Sequence, residues 1–300
     1  MRQFVYKGLA VLALVVLIDF AVGVISDRVF TSLPDKNSMI ATIQQSLFNK
    51  KADLLVLGPS TANHHYDAQL MSDSLGVDVY NAGLDGRDMI YFDVVLQSYF
   101  DRCGLKSVIL DVGPTQLDGS WLEMINDTKP YYGISKPVTE YYDNETDWQQ
   151  RLKLFSSLYR YNKTLSYWIR VQIDPVNDTK GYVPLSRELD ALELSEANEF
   201  TVDSTEYRHL VNIVDMCKER NASLVVVQSP TADRNLAFEQ WIASFCERNH
   251  IVCIQEIANG EYYLHPEWFQ DGAHLNSTGA CVFSRKIVQA LKQNAMIPAN

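Results

Sequence analysis

DLLVLGPSTANHHYD, residues 53–67, begins as a core strand and stops abruptly. Leu54-Leu55-Val56-Leu57 run into Gly58-Pro59-Ser60, and a polar stretch carrying His64 and His65 follows. A short, continuously apolar run bounded by Gly and Pro is the pattern of a strand covered on both faces. Four further runs read the same way: VDVYNAG (77–83), SVILDVG (107–113), SLVVVQ (223–228) and IVCIQ (251–255). Helical patterns lie at 88–103, 204–220, 234–249 and 277–293. The alternation predicts a three-layer, doubly wound (flavodoxin-like) α/β domain on a parallel five-stranded sheet.

Residues 114–200 break the alternation. They hold Pro130, Pro137, Pro175 and Pro184, tyrosine pairs, and one long helix candidate, DWQQRLKLFSSLYRYNKTLSYWIRVQ (147–172). The stretch is too long for a simple crossover and reads as a mostly helical insertion between the third and fourth strands. Aromatic residues cluster between 121 and 182, which suits sugar stacking and core packing equally.

The N-terminus carries the clearest topological signal. GLAVLALVVLIDFAVGVI, residues 8–25, holds one charge, Asp19. Eighteen helical residues span about 27 Å, close to the hydrocarbon thickness of a bilayer. Arg2 and Lys7 precede it, which orients the N-terminus to the cytoplasm and the body outside, in the periplasm or at the cell surface. Ala21-Val22-Gly23 resembles a signal-peptide cleavage site, but the apolar run extends past it. The expectation is therefore one uncleaved transmembrane signal-anchor over residues 1–26. A connector and short helix over 27–50 follow, then an α/β domain over 51–300. An intramembrane carboxylate is costly, so Asp19 is a candidate contact for a membrane partner.

Composition excludes several classes. The net charge is -11 and no basic stripe occurs, which argues against a nucleic-acid partner. The five cysteines stand singly with no C-x-x-C pair, and no carboxylate or cysteine stands at ligand spacing from His64 and His65, so no metal site is expected. The two histidines read as substrate-loop or surface residues. No phosphate-cradling Gly-rich loop follows the first strand, which disfavours a flavodoxin-like ligand-binding module. Six Asn-x-Ser/Thr sequons, at Asn126, Asn144, Asn162, Asn177, Asn221 and Asn276, carry no weight.

In a doubly wound sheet, ligands sit beyond the carboxyl ends of the strands. Those ends supply Ser60, then Asn81-Ala82-Gly83, then Gly113-Pro114-Thr115, and finally FQDGAHLNSTGA with Asp271 and His274. A hydroxyl, a base, a carboxylate to orient it and a glycine turn make the inventory of nucleophilic acyl transfer, which needs no cofactor. Asn276 doubles as a candidate N-cap of the last helix.

Ser60 after the first strand, Gly83 after the second and Asp271-Gly272-Ala273-His274 near the C-terminus resemble the SGNH (GDSL-like) hydrolase superfamily. The anchor, the GPSTANHHYD block and the insertion resemble a subset of it: membrane-anchored proteins that accompany membrane-bound O-acyltransferases in modifying cell-envelope polysaccharide. The resemblance covers residues 51–113 and 201–295. It implies Ser60 as nucleophile, His274 as general base and Asp271 as orienting acid, with the Ser60 and Gly83 N–H groups holding the oxyanion. The superfamily's third donor is an Asn in a G-x-N-D block, where this chain reads DVGPTQLDG. Thr115 or the Asn81 amide is the substitute the sequence offers. Thr115, His64 and His265 are candidate substrate contacts. The resemblance implies an esterase or O-acetyltransferase acting on a glycan ester, with a membrane acyltransferase as partner. A catalytically inactive scaffold that binds polysaccharide or that partner is the alternative.

Overall fold

The computed structural model describes residues 1–296 apart from 37, 121, 163, 175, 177 and 178. Pro175 and the sequon at Asn177 thus lie outside the described residues. The chain forms two compact units, one from residues 1–48 with 126–175 and one from 49–125 with 176 onward. The middle of the insertion therefore belongs with the N-terminal helix, and its two flanks belong with the sheet.

In the sheet unit, β1 (Leu54–Leu57), β2 (Val79–Asn81), β3 (Ser107–Asp111), β4 (Ser223–Gln228) and β5 (Val252–Gln255) form a parallel sheet of order 2-1-3-4-5. Successive side chains along a strand face opposite ways. Leu54, Val56, Ile109, Val225 and Val227 therefore share a face, where they meet Met71, Phe283, Ile287 and Leu291. Met71 comes from the helix Ala68–Leu75 and the others from the last helix, Ser277–Gln293. The alternate residues Leu55, Leu57, Val108, Leu110 and Val226 are equally buried. Three of the helices begin where a side chain takes up first-turn N–H groups: Asp88 caps Met89–Arg102, Asp203 caps Ser204–Glu219 and Asn235 caps Leu236–Asn249. A second, two-stranded parallel pair joins Ser195–Ala197 to Asp233–Asn235.

The order reverses at β1, whose neighbours are β2 on one side and β3 on the other, so a crevice opens at the carboxyl ends of β1 and β3. There the chain leaves β1 through Gly58 and Pro59 and enters a helix at Ser60 (Ser60–His65). Gly58 has φ +153°, and a β-carbon on it would lie 2.7 Å from both the Asp111 carbonyl oxygen and the Ala62 β-carbon. Only glycine lets the turn tuck between β3 and the helix. Gly83 approaches the same helix from the other side, where a β-carbon would stand 2.6 Å from the Asn63 nitrogen.

The other unit is helical. Its N-terminal helix runs Arg2–Phe30, and nearly every residue from 1 to 22 is exposed. The single helix expected over 147–172 is instead three: Trp148–Leu154, Ser157–Arg160 and Thr164–Ile173. The cause of the first break is local. Ser156 adopts an extended backbone and its hydroxyl accepts from the Tyr159 N–H, which starts a new helix instead of continuing the old one. Part of the aromatic cluster is core, with Tyr131, Tyr142, Tyr161 and Tyr182 buried, whereas Trp148 and Phe155 are exposed.

Gly58→Ala is expected to destabilise the full-length chain by about 2 kcal/mol, a drop in Tm of roughly 4–8 °C for a unit of this size. A thermal melt in detergent, compared with wild type, measures it; an unchanged Tm would show that the turn tolerates a methyl group.

Candidate active site

Ser60 is the first residue of its helix, so its N–H has no intrahelical acceptor and its hydroxyl stands at the carboxyl edge of the sheet. His274 comes from the loop before the last helix, and its Nε2 lies 2.7 Å from Ser60 Oγ. Its Nδ1 lies 2.9 Å and 3.1 Å from the two carboxylate oxygens of Asp271. A carboxylate only accepts, so Nδ1–H donates to Asp271 and Nε2 is left to accept from the serine hydroxyl. The three residues named from the sequence are thus brought into one hydrogen-bonded line.

Asp271 also accepts from the N–H groups of Ala273 and His274, at 2.8 Å and 2.9 Å. Partial burial acts to raise its pKa, but the His274 bond and these amides outweigh it and hold the carboxyl below its usual range. It is therefore ionised at neutral pH. Further bonds from two residues, Leu275 and Asn276, set the position of the loop. The Leu275 N–H donates to His65 Nε2 at 2.9 Å, the Asn276 amide donates to the carbonyls of Arg187 and Glu267, and the Asn276 oxygen caps the last helix.

His64 and His65 correct the sequence reading, because neither is a surface residue: they are 7% and 0% exposed. His64 donates from Nδ1 to the Val183 carbonyl at 2.7 Å, and its Nε2 faces Asp85 at 3.3 Å and 3.4 Å. Burial acts to lower the His64 pKa, but the Asp85 carboxylate and the carbonyl more than offset it, and the net direction is up. Its ring meets that of His274 edge-on at 5.5 Å. His65 accepts from a backbone amide and is fully buried, so burial holds it neutral, with its pKa well below the usual value.

A cavity of about 340 Å³ opens beside the line. Ser60, Thr61, Asp111, Thr115, Gln228 and Ser229 are among the residues that line it. The Thr115 hydroxyl accepts from the Gln116 amide at 3.0 Å. His265 is not among the lining residues; it stacks on Trp268 at 4.0 Å and bonds Glu267 on an exposed loop. Asn81 is also placed otherwise than expected. Its amide nitrogen donates to the Ala62 and Tyr66 carbonyls, and its oxygen accepts from the Gly83 N–H at 2.9 Å. Asn81 is a strap on the Ser60 helix, and it occupies the Gly83 donor.

Sequence reading missed Asp85 and Asp111. The only signal for Asp111 was a charge closing the apolar run SVILD. Its carboxylate accepts from Ser229 Oγ at 2.6 Å and the Ser229 N–H at 3.3 Å. Burial outweighs these bonds and pushes its pKa up to about 6. Among the described residues, no group of three or more His, Cys, Asp or Glu is arranged to hold a metal ion.

No protein-family model matches the sequence, and no curated protein matches it. Solved structures do. A GDSL-like lipase from Bacteroides thetaiotaomicron matches at 9% identity and TM-score 0.42, over 80% of this chain and 88% of that one. An alpha/beta hydrolase enzyme from the metagenome of Lake Arreo, Spain, matches at 12% identity and TM-score 0.43, over 85% of this chain and all of that one. Both likenesses are distant.

A buried acid with a raised pKa binds its proton more tightly in the folded state. Stability therefore falls as pH rises from about 4 to 6, and by about 3 kcal/mol for Asp111 alone. Asp111→Asn is expected to remove that part of the slope in denaturant titrations at pH 4, 5, 6 and 7. A slope equal to the wild-type one would mean that Asp111 is ionised in the folded state throughout.

Proposed function

We propose that this chain is a membrane-anchored serine esterase or O-acyltransferase of the SGNH kind, acting on an acylated cell-envelope glycan. The observation that carries the reading is the line from Ser60 Oγ through the His274 ring to Asp271, beside a cavity at the sheet's carboxyl edge. In the proposed reaction, Ser60 gives its proton to His274 Nε2 as Oγ attacks the ester carbonyl carbon. Asp271 holds the other ring proton and stabilises the imidazolium. When the tetrahedral intermediate collapses, the carbon–oxygen bond to the leaving alcohol breaks and His274 returns the proton to that oxygen. Water or a sugar hydroxyl then attacks the acyl-enzyme by the reverse sequence.

The oxyanion falls to the Ser60 N–H and to Thr115. Of the two sequence candidates for the missing donor, only Thr115 lines the cavity. Hydroxyl and amide groups of Thr115, Gln116, Gln228, Thr231 and Asn235 also line it, and they offer hydrogen bonds to a hydroxylated substrate. The retained anchor finds support in Asp19 and Asp27, whose carboxylates bind Ser156 and Tyr161. A membrane acyltransferase as partner, and an extracytoplasmic body, follow from the resemblance and from Arg2 and Lys7.

One observation favours a second reading, a binding scaffold without turnover: the Gly83 N–H is already engaged by Asn81. The two readings separate on the full-length chain in detergent with an activated acetyl ester. The catalytic reading expects turnover and an acetyl adduct by intact mass, both absent from Ser60→Ala. It expects Asp271→Asn to lower kcat on the order of 10³–10⁴-fold. Thr115→Val is expected to cost on the order of 10²-fold in kcat with little change in KM. A folded wild type that gives neither turnover nor adduct supports the scaffold instead.

A further inference from the structure

Asp19, Gly23, Asp27 and Phe30 recur at intervals of four, four and three residues, which is one stripe of the N-terminal helix. Each of them meets the segment 156–161. The Asp19 carboxylate accepts from Ser156 Oγ at 2.6 Å and from the N–H groups of Ser157 and Leu158 at 3.1 Å and 2.9 Å. At Gly23 a β-carbon would collide with the Ser157 hydroxyl. Asp27 accepts from the Tyr161 hydroxyl at 2.5 Å and lies 3.5 Å from the Arg160 guanidinium. Phe30 packs on the Tyr161 ring at 5.2 Å. The one charge in the apolar run is therefore taken up within the chain, and no outside partner is needed for it.

The register of that stripe fixes a depth. A bilayer core is about 30 Å thick, and a helix rises about 1.5 Å per residue. From Lys7, held at the cytoplasmic edge, to Asp19 is about 18 Å, and even from Arg2 it is about 26 Å. Asp19 therefore lies inside the hydrocarbon, and Ser156–Leu158, bonded to it, lie at the same depth. The surface there is apolar and uncovered: Phe155 is 73% exposed and Leu158 42%. On the preceding helix, Leu152 and Trp148 continue the same face one and two turns away, at 61% and 65% exposure. Arg151 and Lys153 add positive charge to the same helix, Arg151 with its guanidinium on the Asp143 carbonyl at 3.0 Å and Lys153 exposed. Asp147, Gln149 and Gln150 cover the other side with polar groups. This is the make-up of a helix lying in a membrane interface.

We propose that the segment Trp148–Leu158 is a second membrane element, seated in the outer leaflet with Trp148, Leu152, Phe155 and Leu158 against acyl chains. The proposal rests on the reading of the N-terminal helix as a membrane anchor. In a soluble protein those four side chains would form an unexplained apolar patch, and the amides bonded to Asp19 would need no carboxylate.

The test uses the full chain reconstituted in phospholipid nanodiscs, with ordinary lipid or with lipid brominated on the acyl chains. Subtracting the emission of Trp148→Phe from that of wild type isolates Trp148. The proposal expects the Trp148 component to lose most of its intensity in brominated lipid and to resist aqueous iodide. Quenching by iodide and not by bromine would overturn it in favour of solvent. A component quenched by neither would overturn it in favour of a protein partner covering the patch. Alkaline carbonate extraction of native membranes tests the anchor separately: a chain released by carbonate fails the anchor reading, whereas a retained chain with an unquenched Trp148 fails only this one.

Discussion

Between the end of β1 and the first turn of the Ser60 helix there is room for a hydrogen atom and none for a methyl group. Gly58 fits against the Asp111 carbonyl and Ala62 only because it lacks a β-carbon, and Gly83 closes on the same helix from β2 under the same condition. With both contacts in place the helix cannot shift along the sheet, and the Ser60 hydroxyl has one position. The remaining parts attach to that short helix by hydrogen bonds. Asn81 holds its carbonyls at Ala62 and Tyr66, and His65 takes the Leu275 amide. That last bond carries the precision from the serine to the loop bearing His274, 214 residues away. Preorganisation of this kind lowers the reorganisation needed at the moment of reaction.

Three histidines stand together and the protein gives each a different electrostatic setting. His65 is sealed from water and faces an N–H donor, so it stays neutral and structural. His64 faces a carbonyl and a carboxylate, so it is drawn towards the cation. His274 faces a carboxylate on one nitrogen and a hydroxyl on the other, the geometry on which the proposed role as general base rests. Adjacent residues 64 and 65 diverge because the helix turns their side chains about 100° apart, one towards Asp85 and the other into the core.

The five strands were legible because each is a run of aliphatic residues ended by a turn signal, and burial on both faces leaves no other pattern for them. The line Ser60, His274 and Asp271 was legible for a related reason: all three sit at strand ends or just before a capped helix, where topology alone brings residues to one edge. What sequence could not show is where a polar side chain finds its partner. Asn81 looked like an oxyanion donor and is a strap. His64 and His65 read as substrate-loop or surface residues, and a backbone partner for each, a carbonyl for His64 and an N–H for His65, lies more than a hundred residues away in the chain. The break at Ser156 depends on whether one hydroxyl turns back to its own helix or caps the next, a choice made by Asp19, 137 residues earlier. Periodicity carries no record of such pairings.

The bond between Asp19 and Ser156 also has a timing. A chain is made from its N-terminus at roughly 5–20 residues per second, so about 7–30 s separate the synthesis of the two ends. If the N-terminal helix is the membrane anchor proposed above, it stands in the membrane through that interval with Asp19 not yet bonded to Ser156. Biogenesis therefore has an order built into it. On that reading the Asp19 carboxylate would wait for its donors until Ser156–Leu158 have been translated.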